Sequence, residues 1–594
     1  MKKIISFLII AFLILLCSNA IADTRPKTVA VLKFDNLTKQ QDIEWIGTGI
    51  AATLTAELFN VPNLILIERI QIEKAIKELG FQQSGYVDEK TAVKIGKFIG
   101  VDTLIIGEYQ KSGDIIRITA RFFDVTTGIV SNTAKVTGNF KDIFELQDKI
   151  SFQLLDTLKI AINPDVKNKI GETPTQSLTA YEYFAKGVEF YENEKYDNAI
   201  EYYTKAIQLD SNYSKAYYNR GNAYEDKGLD DEAIKDYTKA IQFNPDDAEA
   251  YNNRGNIYKD KGLCDEAIKD YNKAIQLKPD FALVYYNRGI TYVHKGLDDE
   301  AIKDYTKAIQ FNPDDAEAYN NRGNIYDDKG LCDDAINDYN KAIQLKLDFA
   351  EAYNNRGIAY LVKKLYDKAI DDFTKALQLK PDDTKVYNNR GSAYLVKKLY
   401  DKAIDDFTKA LQLKPDYARA YYNRGLAYES KGLSEMAIKD YTKAIQLEPD
   451  MAEAYYNRGN AYAIKGIYDE VIKDCTKVIQ LEPDYAEAYY NRGVAYYSKG
   501  LSDEAIKDYT KAIQLNPDYA KAYYNRGVAY NHKGVYDEAI NDCNKAIQLK
   551  PDYAYAYYLR GLNYSSKGDC TKALEDYKKS CELGYTNACN KSCP

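Results

Sequence analysis

Two histidines, His294 and His532, are all that 594 residues offer for imidazole chemistry. They lie seven 34-residue periods apart in the sequence, so neither a Ser-His-Asp or Cys-His arrangement nor a multi-histidine metal site can be assembled in the first part of the chain. Paired carboxylates are too abundant to single out an acid-base couple. A basic excess is missing as well. Lys and Arg total 80 against 88 Asp and Glu, a net charge of −8, which excludes the cationic stripe that nucleic acid requires. Beyond the first 22 residues no apolar run approaches the ~20 residues of a membrane-spanning helix. A low hydrophobic fraction is also absent: 45% of the residues are hydrophobic and 56 are Tyr, too rich for a disordered chain. The expectation is a folded non-enzyme with no cofactor and no bound metal.

The exception among apolar runs is at the start. Lys2 and Lys3 precede Ile4 to Leu16, and Ala20-Ile21-Ala22 offers small residues before Asp23. This pattern predicts a signal peptide over 1–22, cut after Ala22, and hence a periplasmic or secreted protein. Cys17 suggests a lipoprotein instead, but Leu16 stands where that pattern wants a small residue, so this reading ranks second.

Residues 23–162 alternate strand-like and helix-like patterns, which predicts an α/β domain. Strands are expected at 28–34, 64–68, 102–109, 115–124 and 129–136, with helices at 43–59, 70–79, 89–99 and 142–158. In the first helix Ile46, Ile50, Leu54 and Leu58 recur at helical spacing and can cover one sheet face. Gly47-Thr48-Gly49-Ile50-Ala51-Ala52 has the look of a dinucleotide-binding loop. Such a loop must leave the first strand directly, whereas twelve residues separate Phe34 from Gly47, so close helix packing is the preferred reading. Residues 163–179, with Pro164, Gly171 and Pro174, form a linker expected to separate two independently folded parts.

From 180 to 587 a Gly recurs every 34 residues, twelve times from Gly187 to Gly561, and eleven of the twelve follow Arg. A fixed period of this length is the signature of stacked helical repeats. In residues 214–247, Tyr217, Gly221 and Tyr224 share one helix face, while Ala233, Tyr237, Ala240 and Ile241 share a second. Gly228 and Pro245 end the two helices. Lys364 and Lys398 stand where other repeats have this capping Gly, and Leu347 stands where they have Pro, which predicts a softer seam near 346–364. Arg220 and Asp236 recur together, as do Arg356 and Asp372. In the first repeat both change, to Lys186 and Tyr202. The joint pattern predicts Arg-Asp pairing within or between repeats, because a half-buried charge needs a partner.

Two resemblances follow from these residues. The order of VAVLKFDN (29–36), WIGTGIAATLTAEL (45–58), LILIER (64–69), GVDTLIIGEY (100–109) and IRITARFFDVTTG (116–128) resembles the CsgG, FlgO and TolB-N-terminal-like bacterial envelope domains. Pore-forming members add membrane-inserting hairpins, whereas the one hairpin here carries Arg117, Arg121 and Lys135, which suits a soluble sheet. The 34-residue pattern at Tyr217, Gly221, Tyr224, Ala233, Tyr237, Ala240 and Pro245 is similar to the tetratricopeptide repeat (TPR) family. The fold class expected is therefore an α/β N-terminal domain followed by an all-α TPR superhelical solenoid of twelve repeats.

The TPR resemblance implies that first helices line a groove for a protein or peptide partner. Asn219, Asn253, Asn287 and Asn321 fall at the slot from which family members hold a peptide backbone. Inward positions implied by the family pattern include Glu225, Asp226, Glu249, Asp260, Asp327 and Asp328, then Leu361 and Leu395, then Tyr422, Tyr456, Tyr490 and Tyr524. An acidic, then apolar, then tyrosine-lined groove is expected to suit a peptide with a basic segment. The slots of the family's carboxylate clamp hold Tyr or Asn, so a C-terminal carboxylate is not the expected ligand. At the end, KKSCELGYTNACNK is similar to secreted cysteine-rich αα-repeat proteins. That resemblance implies Cys581 bonded to Cys589 and, second, Cys570 to Cys593, within a repeat closed by a short cap at 588–594; a metal site is the rival reading. The function expected is an exported cell-envelope interaction scaffold. The alternative is an accessory subunit of an envelope transport or appendage-export assembly, associated with the outer membrane and oligomerising through the α/β domain.

Overall fold

The computed structural model describes residues 27–593, apart from 60, 63, 68, 81–88 and parts of 161–174. The signal peptide expected over 1–22, with Cys17, lies outside the described residues.

Strands β1 (Lys27–Val31), β2 (Asp35–Asn36), β3 (Leu64–Leu66), β4 (Thr103–Ser112), β5 (Ile115–Asp124) and β6 (Ile129–Asn139) form one sheet. Its order is β3-β1-β4-β5-β6, with β2 beside the far end of β4. β1 runs parallel to both neighbours, and β4, β5 and β6 form an antiparallel meander. Alternation along the strands sends side chains into two cores. Val29, Val31, Ile105, Tyr109, Ile116, Ile118 and Phe122 enter one, under α1 (Trp45–Phe59) and α4 (Ile143–Thr157). Ala30, Leu32, Leu104 and Ile106 enter the other, under α2 (Arg69–Glu78) and α3 (Glu89–Ile99). Phe123 enters the second core by the same alternation, and opposite Phe122/Phe123 a register shift leaves Ser131 of β6 as an extra residue.

The glycines of α1 are packing positions. A β-carbon on Gly47 would lie 2.0 Å from the carbonyl oxygen of Phe34, and one on Gly49 would lie 2.8 Å from the hydroxyl of Tyr181. This second contact corrects the expectation of two independently folded parts. The core under α1 continues through Ile170, Tyr181 and Phe184 to Tyr203, Tyr213 and Ala223 of the first two helix pairs. The Tyr181 hydroxyl is within 3.0 Å of Thr53 Oγ1 and accepts from Gln147 Nε2 at 3.0 Å. Polar residues at 163–179 therefore connect the two parts without separating them, because a large aromatic fills the cleft that the small residues of α1 leave open. One compact unit runs through Ile325 and a second begins at Tyr326.

The same interface buries a carboxyl. Ser151 Oγ donates to Glu57 Oε2 at 2.6 Å, and Asp148 and Lys215 lie nearby. Burial pushes Glu57 from its ordinary 4.5 up to about 8, against the pull of Ser151 and Lys215, and burial also raises Asp148 to about 6. A carboxyl raised in the folded state takes up a proton on folding. Its share of stability is present below the unfolded value and is lost as pH rises towards the folded one. Glu57→Gln is thus expected to gain about 1–2 kcal/mol over wild type at pH 8 and nothing at pH 4, in paired denaturant titrations.

From Leu178 to Glu582 the described residues form twelve helix pairs on the 34-residue period, for example Ser214–Asp226 with Asp230–Phe243. In most pairs the central Gly admits the ring opposite: a β-carbon on Gly221 would lie 2.8 Å from the ring of Tyr237. Gly228 caps its helix at φ +71°, whereas Glu194, Lys364 and Lys398 hold this left-handed turn at 58–59°. Lys364→Gly is expected to raise stability by about 1 kcal/mol, read by hydrogen exchange in its repeat.

Candidate functional site

Arg220 donates from Nε and Nη2 to Asp236 of its own repeat at 2.7 and 2.9 Å, and from Nη1 to Thr204 of the preceding repeat at 2.9 Å. Its guanidinium lies between the rings of Tyr217 and Tyr224. Arg356 repeats this with Asp372 and with Asn340 of the preceding repeat. The pairing is therefore intra-repeat, and the link between repeats is a neutral side chain sixteen residues upstream. The arms are charge-assisted and bidentate, with Asp236 7% and Arg220 15% exposed. A looser ladder runs outside it, in which Lys227 pairs with Asp197 and Lys261 with Asp231. Exposed pairs of this kind contribute about 0–1 kcal/mol.

The asparagines have partners within the array. Asn219 Nδ2 donates to Lys215 O of its own helix. Asn253 donates to Tyr218 and Asn222, Asn287 to Asn252, and Asn321 to Tyr286. Beyond Asn219, the amide reaches 35 residues back to the preceding repeat, so these donors join neighbouring first helices where a ligand backbone was expected. The reason is the residue type before each Asn, Tyr or Asn throughout, which places an acceptor within reach.

The acidic positions are unequal. Glu225 accepts from the hydroxyl of Tyr237, and burial raises its pKa; burial likewise raises Asp327. Asp226, Asp260 and Asp328 are exposed, and Asp260 pairs with Lys259. Glu225, Asp226 and Asp260 belong to the first unit, Asp327 and Asp328 to the second. Leu361 and Leu395 are half-buried, each beside an exposed Val, Val362 and Val396.

The tyrosine positions meet further tyrosines from the loops ahead of the next repeat. Tyr456 meets Tyr485 at 5.1 Å between ring centroids, Tyr490 meets Tyr519 at 4.9 Å, and Tyr524 meets Tyr553 at 5.1 Å. Tyr422 packs on Tyr441 of its own repeat and accepts from Asn457. The loop tyrosines were not singled out in the sequence, although their 34-residue spacing was open to view.

Part of the first unit's array is covered by the chain itself. Lys278 Nζ donates to the carbonyl of Phe59, at the end of α1, and sits over its ring, while Phe59 meets Phe281 edge-on at 5.3 Å. Burial lowers the Lys278 pKa.

At the C-terminal end, disulfides join Cys581 to Cys589 and Cys570 to Cys593, with Cα separations of 4.9 and 5.4 Å. Cys264, Cys332, Cys475 and Cys543 are free thiols. Among the described residues no group of three His, Cys, Asp or Glu side chains could hold a metal ion, and no helix is long and apolar enough to cross a membrane.

Paired helices of constant length, a ring seated on Gly in most pairs and a ladder linking each pair to the last define a helical-repeat interaction scaffold. Tetratricopeptide-repeat family profiles match without interruption from 187 to 583, and the chain belongs to that family. A second profile, the curli production assembly/transport component CsgG, matches residues 17–110. Among solved structures, MamA is 34% identical over 28% of this chain and 96% of its own, with a TM-score of 0.27. YrrB, described as a TPR protein with an unusual peptide-binding site, is 28% identical over 32% of this chain and 97% of its own, with a TM-score of 0.29. A curated relative, putative adenylate cyclase 3 of Rhizobium meliloti (strain 1021), is 24% identical over 135 residues, 23% of this chain. The chain spans only 21% of that relative's length.

Proposed function

We propose that this protein is an exported, non-catalytic scaffold of the bacterial cell envelope whose repeats hold a peptide or protein partner while the α/β domain docks on an envelope component. The tyrosine face of the second unit carries the reading, because it offers large, stiff, amphipathic contact area at low entropy cost. The two C-terminal disulfides support an oxidising compartment, and the apolar leader supports export. The two histidines stand far apart in the sequence, in repeats four and eleven, which supports a binding role over a catalytic one. The test places a photo-crosslinking residue at Tyr555, which is 52% exposed, in the full-length chain expressed with its leader. A discrete crosslinked protein in the envelope fraction is the expected result. Recovery of the chain in the cytoplasm with reduced cysteines, or no crosslink, would overturn the proposal.

A second reading, an oligomeric subunit of an envelope transport or export assembly, draws on the CsgG match and on β6, an eleven-residue strand at the sheet edge. Its backbone can pair with another copy. Native mass distinguishes the two: a stable ring favours the assembly and a monomer the scaffold.

A further inference from the structure

We infer that the loops 414–417 and 550–553 are docking sites for an aromatic residue that closes a helix of a partner protein. This rests on the scaffold reading and names what the repeats hold.

The chain itself supplies the template. In the loop ahead of the fourth repeat, Lys278-Pro279-Asp280-Phe281, the Lys ammonium lies 3.8 Å from the centroid of the Phe59 ring and also donates to the Phe59 carbonyl. Phe281 meets the same ring edge-on at 5.3 Å. Phe59 is the last residue of α1, and the last four carbonyls of a helix have no donor within it. A lysine placed there meets an open acceptor, the negative end of the helix dipole and a π-face at once. One residue of the ligand thus engages both halves of the loop.

Two other loops repeat these residues. Lys414-Pro415-Asp416-Tyr417 precedes the eighth repeat and Lys550-Pro551-Asp552-Tyr553 the twelfth. In each the Lys stands over the ring three residues on, at 5.7 and 5.4 Å, against 5.2 Å for Lys278 over Phe281. Tyr417 and Tyr553 are half-buried, as Phe281 is. The lysines differ. Lys278 is half-buried beside Phe59 and burial lowers its pKa, whereas Lys414 and Lys550 are exposed.

The remaining loops lack one half of the pair or cover it. Glu482 and Asn516 replace the Lys ahead of Tyr485 and Tyr519, Asp383 replaces the ring after Lys380, and Phe349, after Lys346, is itself buried. Charge separates the open loops from the filled one in the same direction. Glu249 and Asp280 act on Lys278, and by position Asp416 and Asp552 repeat Asp280 while Lys385 and Lys521 stand in place of Glu249. Arg419, Asp383 and Glu448 act on Tyr417. The open loops are thus more basic than the filled one, which suits the carbonyl-bearing, negative end of a helix.

The test measures anisotropy of a fluorescein-labelled, C-terminally amidated alanine-based helix of about twenty residues ending in Phe, titrated with the full-length chain. One control helix carries Leu in that last place and another carries its Phe in the first turn. The Phe-ended helix is expected to bind at least about fivefold more tightly than either. Lys414→Met combined with Lys550→Met changes two exposed side chains, leaves circular dichroism unchanged and is expected to abolish that preference. Glu482→Lys completes the same four residues ahead of the tenth repeat and is expected to raise the number of helices bound per chain by about one. Equal affinity for the three helices, a preference that survives in the folded double variant, or no added site in Glu482→Lys would overturn the inference. Each of these results leaves the scaffold reading standing, whereas failure of the Tyr555 crosslink removes that reading itself.

Discussion

Replacing Tyr181 by Ala is expected to cost about 3–5 kcal/mol and to loosen the α/β domain together with the first two helix pairs. The ring is fully buried and packs on Trp45 at 5.7 Å and Phe144 at 4.8 Å, edge-on in both cases. Ala would leave a cavity at the point where α1, α4 and the first repeat meet. It would also strand Thr53 and Gln147, the two groups that meet the hydroxyl. Tyr181→Phe separates the terms: it keeps the packing and should cost only about 1–2 kcal/mol, the penalty of unpaired buried polar groups. Hydrogen exchange is the informative measurement. A shared core predicts that amides of α1 and of the helix Leu178–Glu192 lose protection together in Tyr181→Ala. Loss confined to Leu178–Glu192, with α1 untouched, would restore the picture of two independent parts.

That shared core marks a limit of what could be read from the chain. The 34-residue period, the helix-ending glycines and the alternation of β5 are local patterns, and each element stands within a few residues of where its pattern put it. Ile115–Asp124 and Glu89–Ile99 coincide with expectation. The meeting of Gly49 with Tyr181 joins positions 132 apart in a sequence with no repeating cue. The polar composition of 163–179 pointed the other way, because a connector's surface character says nothing about what its flanks bury. Lys278 on Phe59 was hidden for the same reason.

The ladders were partly legible. Co-variation of Arg with Asp across eleven repeats, and the joint change at Lys186 and Tyr202, pointed to a pair. The third arm, from Arg to Thr204, Thr238 or Asn272, was missed because Thr and Asn on an exposed helix face look like ordinary surface. Asn253 and its equivalents stand where the family resemblance implies a ligand contact, and their partners within the array were open to view: Tyr218 and Asn222 sit one repeat back at distances of 35 and 31 residues, within reach of a side-chain amide.

The strongest test of the ladder is Arg458, the most deeply set of the series. Arg458 is 9% and Asp474 1% exposed, joined by Nε to Oδ2 at 2.9 Å and Nη2 to Oδ1 at 2.7 Å, with Nη1 on Thr442 at 2.9 Å. The opposing helix carries Cys475 where most repeats carry an aromatic ring, so Gly459 has no ring seated on it and the clamp does more of the joining. Arg458→Ala is expected to cost about 3–5 kcal/mol, because it strands a buried carboxylate. Asp474→Ala in that background should recover about 1–3 kcal/mol, since no charge is then left unpaired. Arg458→Lys keeps the charge but cannot make the bidentate contact and should fall between the two. Lys465→Ala, which breaks the exposed pair with Glu435 of the preceding repeat, should leave protection nearly unchanged. Long arrays need not unfold in one step, so protection factors of Ala452–Leu481 decide the outcome better than a melting point. Additive losses for Arg458→Ala and Asp474→Ala would mean that the two charges do not stabilise one another. The joining of the two helices within this repeat would then rest on the packing of its small and apolar residues alone.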